Sequence, residues 1–63
     1  MDEITSNMQK NIREITEKRL GKKLPSEIIE KINKYGSYMG LEMIIDTVTS
    51  IEIEGLEEYL NNL

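Results

Sequence analysis

The most apolar run of this polar chain, residues 40–48, constrains the fold more than any other stretch. Its apolar side chains recur at the i, i+3, i+4, i+7 spacing of one helix face. They are Leu41, Ile44, Ile45 and Val48, with Met43 extending the stripe. Several are β-branched and would suit a strand, but the charged positions do not alternate as the two faces of a strand require. We therefore predict a short, nearly buried helix against which the rest of the chain packs.

Length and composition limit the classes of protein to which the chain can belong. Its 63 residues are enough for one small domain, which buries only about 60% of its unfolded surface and is marginally stable. The absence of cysteine and histidine removes disulfides, thiolate metal sites and the commonest general base, and leaves every serine without an activating partner. We therefore expect no enzymatic activity and no cofactor. No segment resembles a signal peptide or a membrane span, so we expect a cytoplasmic protein that does not contact membranes.

The charges are distributed unevenly along the chain. All eight lysines and arginines lie in residues 1–34, where six acidic residues leave a net charge of +2. Residues 35–63 contain six acidic residues and no base, which gives a net charge of −6. This asymmetry predicts one surface for a polyanion or an acidic partner and another that repels nucleic acid. The alternative is that each half is merely solubilised by its own charges.

Apolar spacing predicts a first helix from Asp2 or Glu3 to Leu20, stopped by Gly21 in a left-handed conformation. Acidic residues at its start and basic residues at its end complement the helix dipole. Its apolar stripe consists of Ile4, Met8, Ile12 and Ile15.

A second helix is predicted from Pro25 or Ser26 to Lys34 or Tyr35, with Gly36 ending it. Its apolar stripe consists of Leu24, Ile28, Ile32 and Tyr35. The helix of residues 40–48 follows, with Ser37 or Gly40 near its N-cap.

Beyond Ser50 the pattern weakens. Residues 51–54 form either a short extended piece or the frayed end of the third helix, and Gly55 interrupts the chain there. A final helical turn or two then carries Leu56, Tyr59, Leu60 and Leu63. We predict an all-α fold, a small orthogonal bundle of about four short helices that forms a single domain over residues 1–63. The residues predicted to be buried are Ile12, Ile15, Ile28, Ile32, Leu41, Ile44, Ile45, Val48 and Leu60.

The order of these elements resembles one known family. Residues 12–28, IREITEKRLGKKLPSEI, are similar to the start of the DnaD-like (DnaB/DnaD C-terminal) domain of bacterial and phage replication-initiation proteins. Residues 40–48 look like the next element of that domain, and residues 59–63 are similar to the Tyr-x-x-x-Ile of its C-terminal helix. The resemblance covers roughly residues 10–63. It implies a module of replication initiation that contacts DNA, a helicase-loading partner, or both, with Tyr59 and Leu63 on a DNA-contacting helix.

Two groups of residues are candidates for binding. The nucleic-acid candidates are the basic cluster around Gly21 and one aromatic ring: Lys18, Arg19, Lys22, Lys23 and Tyr38. The basic residues could equally serve the helix dipole and solubility, and the ring could lie over the central helix. The partner-binding candidates are Glu54, Glu57, Glu58, Tyr59 and Leu63, because carboxylates repel phosphate and suit a basic rim around an apolar groove. The apolar members of this group could instead pack on the core.

Three functional interpretations remain open at this point. The first is a non-enzymatic binding module of the DnaD-like type, encoded by a phage or mobile element, whose partner belongs to the replication machinery. The second is a phage-type inhibitor or decoy, comparable to anti-CRISPR and antirestriction proteins, whose acidic half binds a host protein. The third is one domain of a longer replication protein.

Overall fold

A computed structural model describes residues 3–63 of the chain as four helices joined by short connections. The helices are α1 (Glu3–Leu20), α2 (Ser26–Asn33), α3 (Tyr38–Ser50) and α4 (Ile53–Asn61). No strand occurs in this part of the chain. The prediction of a small all-α bundle is therefore confirmed, whereas the predicted role of Asp2 lies outside the described residues.

The helix ends follow local signals in the sequence. Gly21 has a φ of 72°, and its amide N–H donates a hydrogen bond to the Glu17 carbonyl over 2.8 Å, as expected for a glycine that ends a helix. Ser37 is the N-cap of α3, and its Oγ accepts a hydrogen bond from the Gly40 N–H over 3.2 Å. Pro25 takes the N-cap position of α2 in extended geometry, so the helix begins at Ser26.

The connection between α3 and α4 is shorter than the sequence pattern indicates. Only Ile51 and Glu52 are extended, and both serve as caps of the flanking helices. Gly55 lies inside α4 and does not interrupt the chain. The prediction at this position was wrong because a glycine is tolerated in a helix at a cost of about 1 kcal/mol, which the buried neighbours of α4 offset.

The buried face of α1 is rotated from the predicted apolar stripe. Ile12 is buried as expected, but Ile4 is 56% exposed, and Met8 and Ile15 are only partly buried. The side chains buried with Ile12 are polar: Thr5, Gln9 and Thr16. The hydrogen bonds of Gln9 and Thr16 satisfy their polar groups and so allow both side chains to be buried on this face.

Helix α1, and not the helix of residues 40–48, is the element on which the bundle is assembled. It packs most extensively against α3 and also contacts α2 and α4. The sequence prediction was wrong here because apolar content identifies buried surface, while a long helix gives more length along which others can pack. The most apolar helix, α3, is one of three that pack on α1.

Side chains from one helix cap the carboxyl ends of others. Gln9 donates through Nε2 to the carbonyls of Asn33 and Tyr35 at the end of α2, over 3.2 and 2.7 Å. Arg19 donates through Nη1 to the Val48 carbonyl near the end of α3, over 2.8 Å. Gln9 contacts Tyr35, three residues before α3 begins, and Arg19 contacts Val48 near the end of α3, so α1 and α3 run in broadly the same direction.

The third cap of this kind joins α2 to α4. Lys31 donates through Nζ to the Asn61 carbonyl over 2.7 Å. The last carbonyls of a helix have no partner within the helix, so each of these bonds satisfies a group that would otherwise depend on water. The carboxyl ends of α2, α3 and α4 are therefore all bonded by a side chain from an earlier helix.

One hydrophobic core lies between the four helices. Seven of the nine residues predicted to be buried are confirmed: Ile12, Ile28, Ile32, Leu41, Ile44, Val48 and Leu60. Ile15, Ile45 and Tyr35 are partly buried against this core, and Leu24 and Leu56 complete it. Met43 was expected to extend the buried stripe of α3 but is 68% exposed. It lies one residue before Ile44, a rotation of about 100° around the helix, and so faces away from α1.

Candidate functional site

The predicted basic cluster at the end of α1 is partly used by the fold. Arg19 is half-buried and bonded to the Val48 carbonyl. Lys22 pairs through Nζ with Oε1 of Glu57, the one ion pair formed within residues 3–63. Lys18 and Lys23 are exposed and have no such partner. Two of the four predicted phosphate contacts are therefore bonded to other parts of the protein.

Tyr38 lies apart from this basic cluster. Its ring is 44% exposed at the first position of α3. The cluster adjoins the opposite end of α3, because Arg19 contacts Val48 there. The ten residues from Tyr38 to Val48 span about 15 Å of helix. The structure does not bring the five predicted nucleic-acid residues together on one small surface.

The carboxylates of α4 face outward. Glu54 and Glu58 are exposed and lie one helical turn apart, with about 5–6 Å between their Cβ atoms. Glu57 lies on the flank of the helix, where its carboxylate meets Lys22. We call these three residues the α4 carboxylate face; Glu54 and Glu58 present negative charge to solvent, and Glu57 shares its charge with Lys22.

The apolar residues of α4 face the opposite way. Leu56 and Leu60 are fully buried in the core. Tyr59 and Leu63 are partly buried and pack against that core. Of the two alternatives for this stripe, packing on the core is the one that the structure shows. Tyr59 and Leu63 each keep a part of the side chain exposed.

A half-open pocket of about 170 Å³ adjoins the Lys22–Glu57 ion pair. Its walls are mainly apolar and come from the α1–α2 connection, α2 and α4: Leu20, Leu24, Pro25, Ile28 and Leu60, with Lys22, Glu57 and Asn61 at the edge. Pockets for small molecules and cofactors usually measure about 300–1,000 Å³. The volume of this pocket lies below that range.

Two features of these surfaces are not evident from the sequence. The hydrogen bond of Arg19 and the ion pair of Lys22 join positions 29 and 35 residues apart, and no local pattern predicts such pairs. The exposure of Met39 and Met43 was also missed. Their spacing of four places them on one face of α3, but that spacing alone does not tell an outward face from a buried one.

Comparison with known proteins adds no relative to this description. Within residues 3–63, no helix combines the length and apolar character needed to cross a membrane. In the same range, no three carboxylates lie close enough to hold a metal ion together. No protein-family model, curated protein or solved structure matches the chain.

Proposed function

We propose that this protein is a non-enzymatic binding module whose α4 carboxylate face occupies a basic surface of a protein partner. The partner surface would be one that otherwise binds nucleic acid, as in the inhibitor or decoy interpretation of the sequence. The observation that carries the proposal is the placement of Glu54, Glu57 and Glu58 on α4.

Two of these carboxylates are placed against the electrostatic preference of their own helix, whereas Glu54 lies in its first turn, where an acid is favourable. Glu57 and Glu58 lie in the second half of α4, near the negative end of the helix dipole, and its last turn contains no basic residue. Glu54 and Glu58 form a like-charge pair at i, i+4, which destabilises a helix. The ion pair with Lys22 accounts for Glu57, but stability does not explain Glu58 or its like-charge pairing with Glu54. Departures from local preference are typical of functional surfaces.

The basic half of the chain supports the same proposal. Arg19 and Lys31 are bonded to backbone carbonyls and Lys22 to Glu57, so fewer cations are left to bind a polyanion. Residues 35–63 have no base that could neutralise the α4 carboxylate face from within the same segment. Complementary charge steers association and selects partners, which suits a protein that competes for an occupied groove.

A capture experiment with matched charge reversals tests the proposal. The tagged wild-type chain is compared with Glu54→Lys/Glu58→Lys and with Glu27→Lys/Glu30→Lys, which makes the same change of charge on exposed positions of α2. Both variants should melt as cooperatively as the wild type. The proposal predicts a partner that the α2 variant retains and the α4 variant loses. Equal retention by both variants contradicts it.

A second candidate function is the DnaD-like one, in which the chain contacts DNA during replication initiation. The observation that favours it is that Lys18 and Lys23 remain exposed and unpaired within residues 3–63, on either side of the α1 terminus. Two such lysines provide salt-dependent affinity for phosphate without sequence preference. The family resemblance of residues 12–28 includes both positions.

Fluorescence anisotropy with labelled single-stranded and duplex DNA, at about 50 mM salt where electrostatic contacts are strong, tests this candidate. Lys18→Glu/Lys23→Glu should weaken binding to all sequences and flatten the salt dependence. Lys10→Glu/Lys34→Glu makes the same charge change at other exposed positions and should have a smaller effect. Absence of binding by the wild type, or equal loss in both variants, rejects a specific basic contact surface.

A further inference from the structure

The outward side of α3 carries two of the most exposed apolar side chains of the described residues. Met39 is 76% exposed and Met43 is 68% exposed. They are four residues apart and therefore neighbours on one face. The core face of the same helix, which carries Leu41, Ile44 and Val48, lies on the opposite side. Core packing therefore does not account for either methionine.

Acidic side chains border these methionines. Glu42 and Asp46 are exposed, are also four residues apart, and follow the same side of α3. We call Met39, Met43, Glu42 and Asp46 the methionine face. Methionine is enriched at protein interfaces and adapts its shape to varied partners because its side chain is unbranched and polarizable.

We propose that the methionine face is a docking site for an amphipathic helix with basic flanks, supplied by another protein. The partner's apolar stripe would contact the two methionine side chains, and its lysines or arginines would meet Glu42 and Asp46. This site lies on a different helix from the α4 carboxylate face and does not depend on the function proposed for that face.

Charge complementarity selects this occupant over two others. A nucleic acid would bring phosphates against Glu42 and Asp46 and meet repulsion. A second copy of the chain placed symmetrically on this face would bring the same two carboxylates against each other. A basic helix neutralises both carboxylates and covers both methionines, because helix-on-helix contacts pair residues at spacings of three and four.

The probe for this proposal is a fluorescein-labelled helical peptide built from leucine and lysine, with all leucines on one side. A scrambled peptide of identical composition lacks the apolar stripe but keeps the charge. The proposal predicts that the first peptide binds the wild-type chain at least about tenfold more tightly than the scrambled one, the size of difference that a well-packed apolar contact produces. Equal binding of both peptides contradicts a defined docking site.

Matched variants locate the site on the protein. Met39→Gln/Met43→Gln keeps helix propensity and should weaken binding about tenfold. Ile4→Gln removes an exposed apolar side chain on α1 and should change it by less than about twofold. If both variants weaken binding equally, the peptide binds exposed apolar groups in general and the proposal fails.

The charge contribution is tested in the same assay. Glu42→Gln/Asp46→Asn and Glu54→Gln/Glu58→Gln each remove two negative charges, the first from the methionine face and the second from α4. Only the first should weaken binding strongly. If only the second does, the peptide binds α4, which supports the α4 carboxylate face and overturns the inference made for α3.

NMR of the methionine methyl groups gives a readout that needs no mutation. On addition of the Leu/Lys peptide, the signals of Met39 and Met43 should shift, while that of the partly buried Met8 should stay in place. A shift confined to Met8, or no shift while anisotropy reports binding, contradicts the inference. Shifts of Met39 and Met43 that depend on protein concentration alone would identify a second copy of the chain as the occupant and would also overturn it.

Discussion

Gln9 shows how a single polar residue joins two helices of this bundle. Its side chain is only 4% exposed, and its amide group bonds the carbonyl of Asn33, the last residue of α2, and that of Tyr35 just beyond it. Thr16 is fully buried on the same face of α1, but its hydroxyl bonds carbonyls of its own helix, at Ile12 and Arg13. Two buried polar side chains of one helix face therefore serve different purposes.

Substitutions at these two positions should have different effects on stability. Gln9→Met keeps the size of the side chain and removes the donor, which leaves two carbonyls unpaired and should lower the free energy of unfolding by about 1–3 kcal/mol. Thr16→Val removes a hydroxyl whose acceptors stay bonded in the helix, so it should have little effect. Urea denaturation of both variants measures the difference. A Gln9→Met protein as stable as the wild type would show that water replaces the amide.

At the scale of the helix, α4 combines a favourable core face with an unfavourable charge pattern. Leu56 and Leu60 bury its inner side, while Glu54 and Glu58 repel each other on its outer side. Helix α1 has the opposite arrangement, with Glu3 in its first turn and basic residues in its last. Charge therefore supports the folding of α1, whereas in α4 the Glu54–Glu58 repulsion opposes folding and the Lys22–Glu57 ion pair favours it.

Neutralising one α4 carboxylate should consequently stabilise the protein. Glu58→Gln removes a like-charge pair and an acid near the carboxyl end, and should add about 0.2–1 kcal/mol, a rise in melting temperature of about 1–8 °C. Glu3→Gln should lower the melting temperature because it removes an acid from a helix start. If Glu58→Gln raises the stability of the protein and also weakens partner capture, the Glu58 carboxylate contributes to binding at a cost in stability. A destabilised Glu58→Gln protein would argue against this electrostatic explanation.

The carboxyl end of α1 offers a second test at this scale, on two adjacent basic residues. Arg19→Met removes the bond to the Val48 carbonyl and should lower stability by about 1 kcal/mol, reduced from the usual range for a charged donor because the group is partly exposed. Lys18→Met should stay within about 0.5 kcal/mol of the wild type. Thermal melts of the two variants measure this difference in stability. An equal effect of both would mean that Arg19 acts only through its charge.

At the scale of the whole molecule, stability depends on a small core. A domain of 63 residues has a total stability of about 3–9 kcal/mol. Ile44 is buried and Ile45 only partly buried, although the two are adjacent in α3. Ile44→Ala should therefore cost about 2–5 kcal/mol and leave little folded protein, while Ile45→Ala should cost less. Circular dichroism during heating separates the two outcomes, and a larger loss for Ile45→Ala would contradict the packing of α3.

Local signals account for the parts of this fold that could be predicted from the sequence. A glycine after basic residues marks the end of α1, and a serine three residues before Gly40 marks the start of α3. The orientation of α1 could not be predicted, because the carbonyls that Gln9 bonds come from residues 24 and 26 positions away. For the same reason, Lys22 could be recognised as basic but not as the partner of Glu57.

The most direct test of the account is a competition measurement on the partner identified by capture. Labelled duplex DNA is bound to that partner, and the wild-type chain is then added. We expect the wild-type chain to displace the DNA, Glu54→Lys/Glu58→Lys to leave it bound, and Glu27→Lys/Glu30→Lys to displace it as the wild type does. A complex in which DNA, partner and chain are bound together, with no displacement, would contradict the account.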